Sequence, residues 1–277
     1  MSTQKIRAEK FKHLHERPGM FVIPNPWDAG SAKMLMKLGF EALATTSSGF
    51  AFSIGKPDGE GAVGRDEALE HVRAIVGATD LPVSADLENG YGDSPEVCAE
   101  TIRLASHTGL VGGSIEDATG RADEPIYPLS LSVERIVASV ESARALPFPF
   151  ILTARAENLI RGRLDLEDTI RRLEAYAKAG ADVLFAPGLK SREDVMTVVG
   201  AVAPKPVNVI MGLSGPALSL ADLAELGVKR VSVGSALARA AYGAFLRGAV
   251  EIRDHGTFTF SEQAVPFAEI NAIFKDR

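Results

Sequence analysis

Asp86-Leu87-Glu88-Asn89-Gly90-Tyr91-Gly92 places two carboxylates two residues apart, where the apolar run Leu81-Pro82-Val83-Ser84-Ala85 stops. Side chains two apart on a strand point the same way, so Asp86 and Glu88 are expected to lean into one pocket. Gly90 and Gly92 let the backbone turn sharply beside a ligand. Acid pairs at a strand's carboxyl end, followed by glycines, fit an oxygen-liganded divalent metal. Other strand ends add Asn25 and Asp28, Ser48-Gly49-Phe50, Asp58, Glu116 and Asp117, and then Arg155, Glu157 and Asn158. Carboxylates without histidine or cysteine partners favour a hard ion, Mg2+ or Mn2+, over zinc. Asp86 is the choice for direct ligation, with other acids holding water ligands. Arg155 offers a planar fork for a substrate carboxylate, and backbone N–H groups around Ser48-Gly49-Phe50 are placed to donate to an oxyanion. Together they would stabilise an enolate formed from an α-keto acid.

These residues need a scaffold that gathers strand ends. Short β-branched runs alternate with amphipathic stretches throughout the chain. Strands are expected at 21–23, 42–45, 83–86, 113–116, 150–153, 183–185, 207–210 and 230–233. Between them, helical patterns such as Asp165 to Lys178 align Leu166, Ile170, Leu173 and Ala177 on one face. Ser94-Pro95 and Ser132-Val133 look like helix starts. Gly39, Gly109, Gly180 and Gly227 precede the even-numbered strands as helix-ending caps, whereas Pro18, Pro82, Pro149 and Pro206 precede the odd ones. Eight strand–helix units predict a closed parallel (β/α)8 TIM-type barrel, residues 1–277 forming one domain with an N-terminal helix and a C-terminal helical extension. A doubly wound sheet is the competitor, and the first strand lacks the Gly-x-Gly-x-x-Gly turn such a sheet would use.

Bulk properties agree. The 277 residues are 46% hydrophobic and 24% charged, ordinary for a soluble domain with a sizeable core. A formal charge of −6 argues against nucleic acid or an anionic membrane as partner. One cysteine, Cys98, excludes an internal disulfide and points to a reducing, cytoplasmic setting; in its helical pattern it reads as core filler. No apolar run approaches the roughly 20 residues of a membrane span.

Plainer roles compete for several residues. Asp28 reads as the cap of the helix that begins at Ala29. Asp117 and Glu157 are expected to orient neighbours or pair with Arg121 or Arg161. Gly234-Ser235 would cradle a phosphate or cap a helix. The five histidines, His13, His15, His71, His107 and His255, fall on helices or tails and receive no catalytic role.

Pro24-Asn25-Pro26-Trp27-Asp28-Ala29, Thr46-Ser47-Ser48-Gly49, Ser84 to Gly92, Ser114-Ile115-Glu116-Asp117 and Thr153-Ala154-Arg155 resemble, in order, the motifs of the isocitrate lyase and phosphoenolpyruvate mutase superfamily. The resemblance implies a barrel whose last helix is swapped with a neighbouring subunit, in a homotetramer built as a dimer of dimers. It implies Mg2+-dependent cleavage or formation of C–C or P–C bonds in α-keto or 2-hydroxy acids. By similarity Asp86 is the direct metal ligand, and Asp58, Glu88 and Glu116 act through water. Ser48, Gly49, Phe50 and Arg155 would hold the substrate.

The chain departs from the family's pattern after the fourth strand. The Lys-Arg/Lys-Cys-Gly-His loop of isocitrate and methylisocitrate lyases is replaced by Asp117-Ala118-Thr119-Gly120-Arg121-Ala122-Asp123-Glu124-Pro125-Ile126-Tyr127, which lacks the proton-donating cysteine. It also lacks the lysine and asparagine usual in phosphonate-processing members. Ala186-Pro187-Gly188 stands where relatives place a histidine or glutamate. What remains is an enolate-stabilising half-site, suited to decarboxylating a β-keto acid or to retro-aldol cleavage. Arg155, Glu116 and the lid residue Tyr127 are the catalytic candidates, and Thr119 and Arg121 share the lid. Phosphonopyruvate chemistry and a non-catalytic keto-acid binder are the alternatives.

Overall fold

A computed structural model describes residues 2–59, 61–212, 215 and 217–275. Eight parallel strands form one sheet in the order β1-β8-β7-β6-β5-β4-β3-β2. They are β1 (Phe21–Val22), β2 (Leu43–Ala44), β3 (Val83–Asp86), β4 (Gly112–Glu116), β5 (Ile151–Arg155), β6 (Val183–Phe185), β7 (Val207–Ile210) and β8 (Arg230–Ser232). The Ala44 amide donates to the Pro24 carbonyl at 3.1 Å and brings the two outer strands together, giving the expected TIM-type α/β fold. β5 runs further than expected, to Arg155, so this arginine stands on the rigid strand and not in the loop after it.

The helices are α1 (Thr3–Glu16), α2 (Ala29–Lys37), α3 (Ser47–Ser53), α4 (Arg65–Gly77), α5 (Pro95–Ser106), α6 (Leu129–Arg144), α7 (Leu166–Lys178), α8 (Arg192–Val202), α9 (Leu220–Glu225), α10 (Ala236–His255) and α11 (Phe267–Phe274). Their ends follow local chemistry. Asp28 caps α2 as expected, accepting from the Ser31 amide at 2.6 Å, and Ser94 caps α5 ahead of Pro95. Gly39, Gly109, Gly180 and Gly227 all take positive φ, the conformation a side chain resists. Ser132 does not start α6. Pro128 precedes that helix and its carbonyl already accepts from the Ser132 amide at 2.9 Å, one turn inside.

Phe11 and Leu14 of α1 pack with Phe21, Ile23, Val111, Ile151 and Val183, which closes the amino-terminal mouth of the sheet with apolar side chains. Outside the strands, Leu69, Ile75, Ile102, Leu173 and Val195 join the main core that the helices share with the sheet. α10 behaves differently. Only Ala238 and Gly248 along it are buried, and Phe245 and Leu246 are exposed. Among the described residues no helix is long and apolar enough to cross a membrane.

Candidate active site

The carboxyl ends of the strands surround a cavity of about 430 Å3 that reaches down inside the sheet. Beside it, a second cavity of about 780 Å3 is lined by Gly59, Gly61, Val63 and Arg65 and by the turn at Thr119-Gly120-Arg121. Ser47, Ser48, Asp58, Asp86 and Arg155 face the first, whereas Glu88, Glu116 and Arg161 face the second. The acid cluster is the partition between them.

Glu88 therefore does not share a wall with Asp86 in the way strand alternation implies. β3 ends at Asp86, and Glu88 takes a left-handed φ of 47°, so the period-two rule stops two residues short of it. Such a conformation in a non-glycine residue stores strain, and it turns the Glu88 side chain to the second cavity. The two acids still feel each other. Burial, then the charges of Asp86 and Asp58, push the Glu88 pKa up to about 7.

Arg155 is the hub. Its Nη1 donates to Asp86 at 2.9 Å, its Nε to Glu157 at 2.9 Å, and its Nη2 lies 3.1 Å from Glu116 and 2.8 Å from Glu157. Burial alone would lower the Arg155 pKa, but Glu157, Glu116 and Asp86 together hold it well above the usual value. The fork expected to meet substrate is thus occupied by the protein's own acids. Asp86 also accepts from the Ser47 hydroxyl at 2.9 Å. Burial, and then the charge of Glu157, raise Glu116 well above the carboxylate range. Asp58 is exposed overall, yet burial of its carboxyl and the Asp86 charge raise its pKa.

Counting formal charges, five carboxylates (Asp58, Asp86, Glu88, Glu116 and Glu157) meet two guanidiniums, Arg155 and Arg161. Arg161 lies 3.6 Å from Glu116. The surplus negative charge and the all-oxygen donor set fit a hard divalent cation. Among the described residues no three acid, histidine or cysteine side chains are arranged to hold an ion by themselves, so the fit is to one or two protein oxygens completed by water, as Mg2+ prefers.

The other expected residues divide. Ser48 faces the first cavity. Gly49 and Phe50 instead spend their amides inside the turn, on Thr46 Oγ1 at 3.2 Å and the Thr46 carbonyl at 3.1 Å. The Phe50 ring stacks on His71 at 3.7 Å, away from the cavity. A Cβ on Gly49 would meet Thr46 Cγ2 at 2.6 Å, so glycine is needed there for packing. Asp117 is structural as expected, but its partners are Arg172 at 3.1 Å and Tyr176 at 2.6 Å; Glu157 pairs with Arg155. Arg121 binds Asp93 at 2.9 Å. Sequence order hides these pairings because they cross between neighbouring strand–helix units.

In the lid, Tyr127 is buried and donates to Asp93 at 2.5 Å, while Arg135 stacks 4.1 Å from its ring. Burial and that bond raise the phenol pKa to about 12, and Tyr127 faces neither cavity. The Thr119 hydroxyl donates to the Glu124 carbonyl. At Gly234-Ser235, which lines the first cavity, the Val233 and Gly234 amides both donate to Asn25 Oδ1 at 2.9 Å, and the Ser235 side chain makes no cap bond to α10.

Two inward-facing residues escaped the sequence reading: Arg230 of β8 and Asn208 of β7. Both line the first cavity below the acid cluster. The signal was present in the alternation Arg230-Val231-Ser232-Val233, which turns arginine and serine to one side of a strand.

Comparison with known proteins agrees with this architecture. The phosphoenolpyruvate phosphomutase family model matches residues 11–253. A crystal structure from Burkholderia cenocepacia J2315, described provisionally as a lyase/mutase, is 62% identical with a TM-score of 0.96, covering 99% of this chain and 97% of that one. An uncharacterized Mycobacterium tuberculosis protein is 36% identical over 96% of both chains. Oxaloacetate acetylhydrolase in complex with its product oxalate is 27% identical with a TM-score of 0.86, covering 96% of this chain and 93% of that one. Further relatives are lyases of 2-methylisocitrate and 2,3-dimethylmalate and an oxaloacetate decarboxylase. The chain belongs to the isocitrate lyase/phosphoenolpyruvate mutase superfamily.

Proposed function

We propose that this protein is a Mg2+- or Mn2+-dependent lyase or decarboxylase of a small α-keto or 2-hydroxy dicarboxylate. The observation that carries the reading is the surplus of five carboxylates over two guanidiniums at the carboxyl mouth of the sheet. Asp86 would ligate the ion directly, and Asp58, Glu88 and Glu116 through water. The bound cation supplies positive charge for the substrate's oxygens and for the electron pair left by the breaking C–C bond. Ser47 holds the Asp86 carboxylate in place, and Ser48 offers its hydroxyl to substrate. Arg155 sets the orientation of Asp86 and Glu116 and meets a substrate carboxylate by exchanging partners.

The lid favours chemistry that asks little of a protein acid. Thr119, Arg121 and Tyr127 are each bonded within the lid or to Asp93, and no cysteine stands in that segment. Loss of CO2 from a β-keto acid needs only an electron sink, and water protonates the product carbon. Purified protein should turn over oxaloacetate or an alkylated malate with Mg2+ and lose that activity in EDTA, with products identified by mass spectrometry against a no-protein control. Asp86→Ala should reduce turnover at least about 10³-fold with the fold intact by circular dichroism. Turnover of phosphonopyruvate alone would transfer the site to P–C chemistry. No turnover of any of these, in either form, would leave a non-catalytic keto-acid binder.

The assembly proposed with this function is a homotetramer, a dimer of dimers exchanging α10. Its support is the unpartnered apolar surface of that helix, including Phe245 at 69% and Leu246 at 59% exposure, more than a monomer ordinarily leaves in one stripe. Sedimentation should give a tetramer, and Phe245→Glu with Leu246→Glu should give smaller species.

A further inference from the structure

Below the acid cluster, the inner wall of the sheet is polar where barrels of this type are ordinarily filled by branched apolar side chains. Ser84, Thr153, Asn208 and Ser232 are buried there, and Arg230 reaches in among them with 6% of its surface exposed. Its Nε donates to Asn208 Oδ1 at 2.8 Å and its Nη2 to Thr153 Oγ1 at 2.9 Å. Its Nη1 lies 3.4 Å from His15 Nε2. The other His15 nitrogen, Nδ1, is 2.8 Å from the Phe11 carbonyl, so it carries the proton and Nε2 presents a lone pair to the arginine. Burial, then the Arg230 charge, lower the His15 pKa to about 3, so His15 is neutral and brings no negative charge. No carboxylate pairs with Arg230 among the described residues. Isolated buried charge is strongly unfavourable, and a guanidinium has five N–H donors, of which these contacts engage three.

Arg230 lines the same cavity as Asp86 and Arg155. Thr153, which Arg230 touches, is two residues before Arg155 on β5, a separation of roughly 6.6 Å along a strand. We infer that Arg230, braced by Asn208, forms an anion subsite inside the barrel that receives the terminal carboxylate of the substrate while its other end is held at the Asp86–Arg155 layer. This deepens the proposed function: it rests on a dicarboxylate substrate and assigns the residue that distinguishes a long diacid from a short one.

Equilibrium binding tests the subsite without turnover. Malate, oxalate and formate, each with MgCl2, are titrated calorimetrically into wild type, Arg230→Gln and Asn208→Asp. Asn208→Asp is isosteric and gives the guanidinium an internal counterion, so it should fold with a melting temperature at or above wild type even if Arg230→Gln fails to fold. Both variants should weaken malate at least tenfold and change oxalate less than twofold, and Arg230→Lys should recover part of the loss. Formate that competes with malate in wild type, and is lost in the variants, supports the same assignment. Malate binding unchanged in the variants overturns it, as does an equal loss of malate and oxalate from variants with intact folds. Formate bound at Arg230 without competing with malate also overturns it, since the site would then hold a free anion. Absence of oxalate binding in every form counts against the metal-dependent reading of the mouth and is scored separately from the malate result.

Discussion

Arg155 and Arg230 enter the same cavity from β5 and β8, and both are largely enclosed, but their surroundings are opposite. Arg155 is gripped by Asp86, Glu116 and Glu157. Arg230 has only neutral partners: an amide oxygen, a hydroxyl and a ring nitrogen. Burial pushes the Arg230 pKa down to about 9, still leaving it charged at neutral pH, whereas the surrounding acids raise that of Arg155. The cavity is therefore polarised along its depth, anionic at the mouth and cationic beneath. A site with this polarity complements a cation above and a carboxylate below, so ligand charge and protein charge cancel layer by layer.

The sharpest way to break the contrast is to remove each guanidinium in turn. Arg155→Met should cost about 3–5 kcal/mol in urea unfolding near neutral pH, because the buried Glu116 and Glu157 and the half-buried Asp86 lose their partner, and added Mg2+ should restore part of it. Equal stability of wild type and Arg155→Met would show that the acids are already protonated or solvated.

A middle-sized effect belongs to Glu88. Its pKa is raised from 4.5 to about 7 in the folded state, so the folded protein binds the extra proton more tightly than the unfolded chain. That contribution to stability is full below pH 4.5 and is lost as pH rises through 7, by no more than about 3 kcal/mol. Unfolding free energies measured from pH 4.5 to 8 should show this decline, Glu88→Gln should flatten it, and Mg2+ should counter it at the alkaline end. An unchanged slope in Glu88→Gln would assign the titration elsewhere.

The smallest effect is expected at the other arginine. Arg230→Met removes an unpaired buried charge while leaving Asn208 and Thr153 short of a partner, and these costs offset. Stability without ligand should stay within about 1 kcal/mol of wild type. A loss as large as that of Arg155→Met, read by the same urea titration, would mean that Arg230 is chiefly a structural clamp between β5, β7 and β8.

Much of the architecture was legible because it is local. Helix-ending glycines at 39, 109, 180 and 227 need positive φ whatever surrounds them, Asp28 caps α2 by accepting from the amide three residues ahead, and β-branched runs mark strands. The acids at strand ends were also legible, since a parallel barrel puts all its carboxyl ends on one side. Other features depend on contacts between distant segments. Glu88 escapes the alternation rule because β3 stops at Asp86. Asp117 finds Arg172, 55 residues away, and not the nearby Arg121. Arg230 meets Thr153 across 77 residues.

The chain's own order of residue types thus determined an eight-unit α/β scaffold, its caps and turns, and a ring of oxygen donors at one end. Only the tertiary structure decided which acids neutralise Arg155, which arginine is left without a counterion, and on which side of the partition each carboxylate faces. Propensity, period and capping act within a few residues. Charge pairing and burial are set by whatever the closed sheet brings within a few ångströms, and no local rule carries that information.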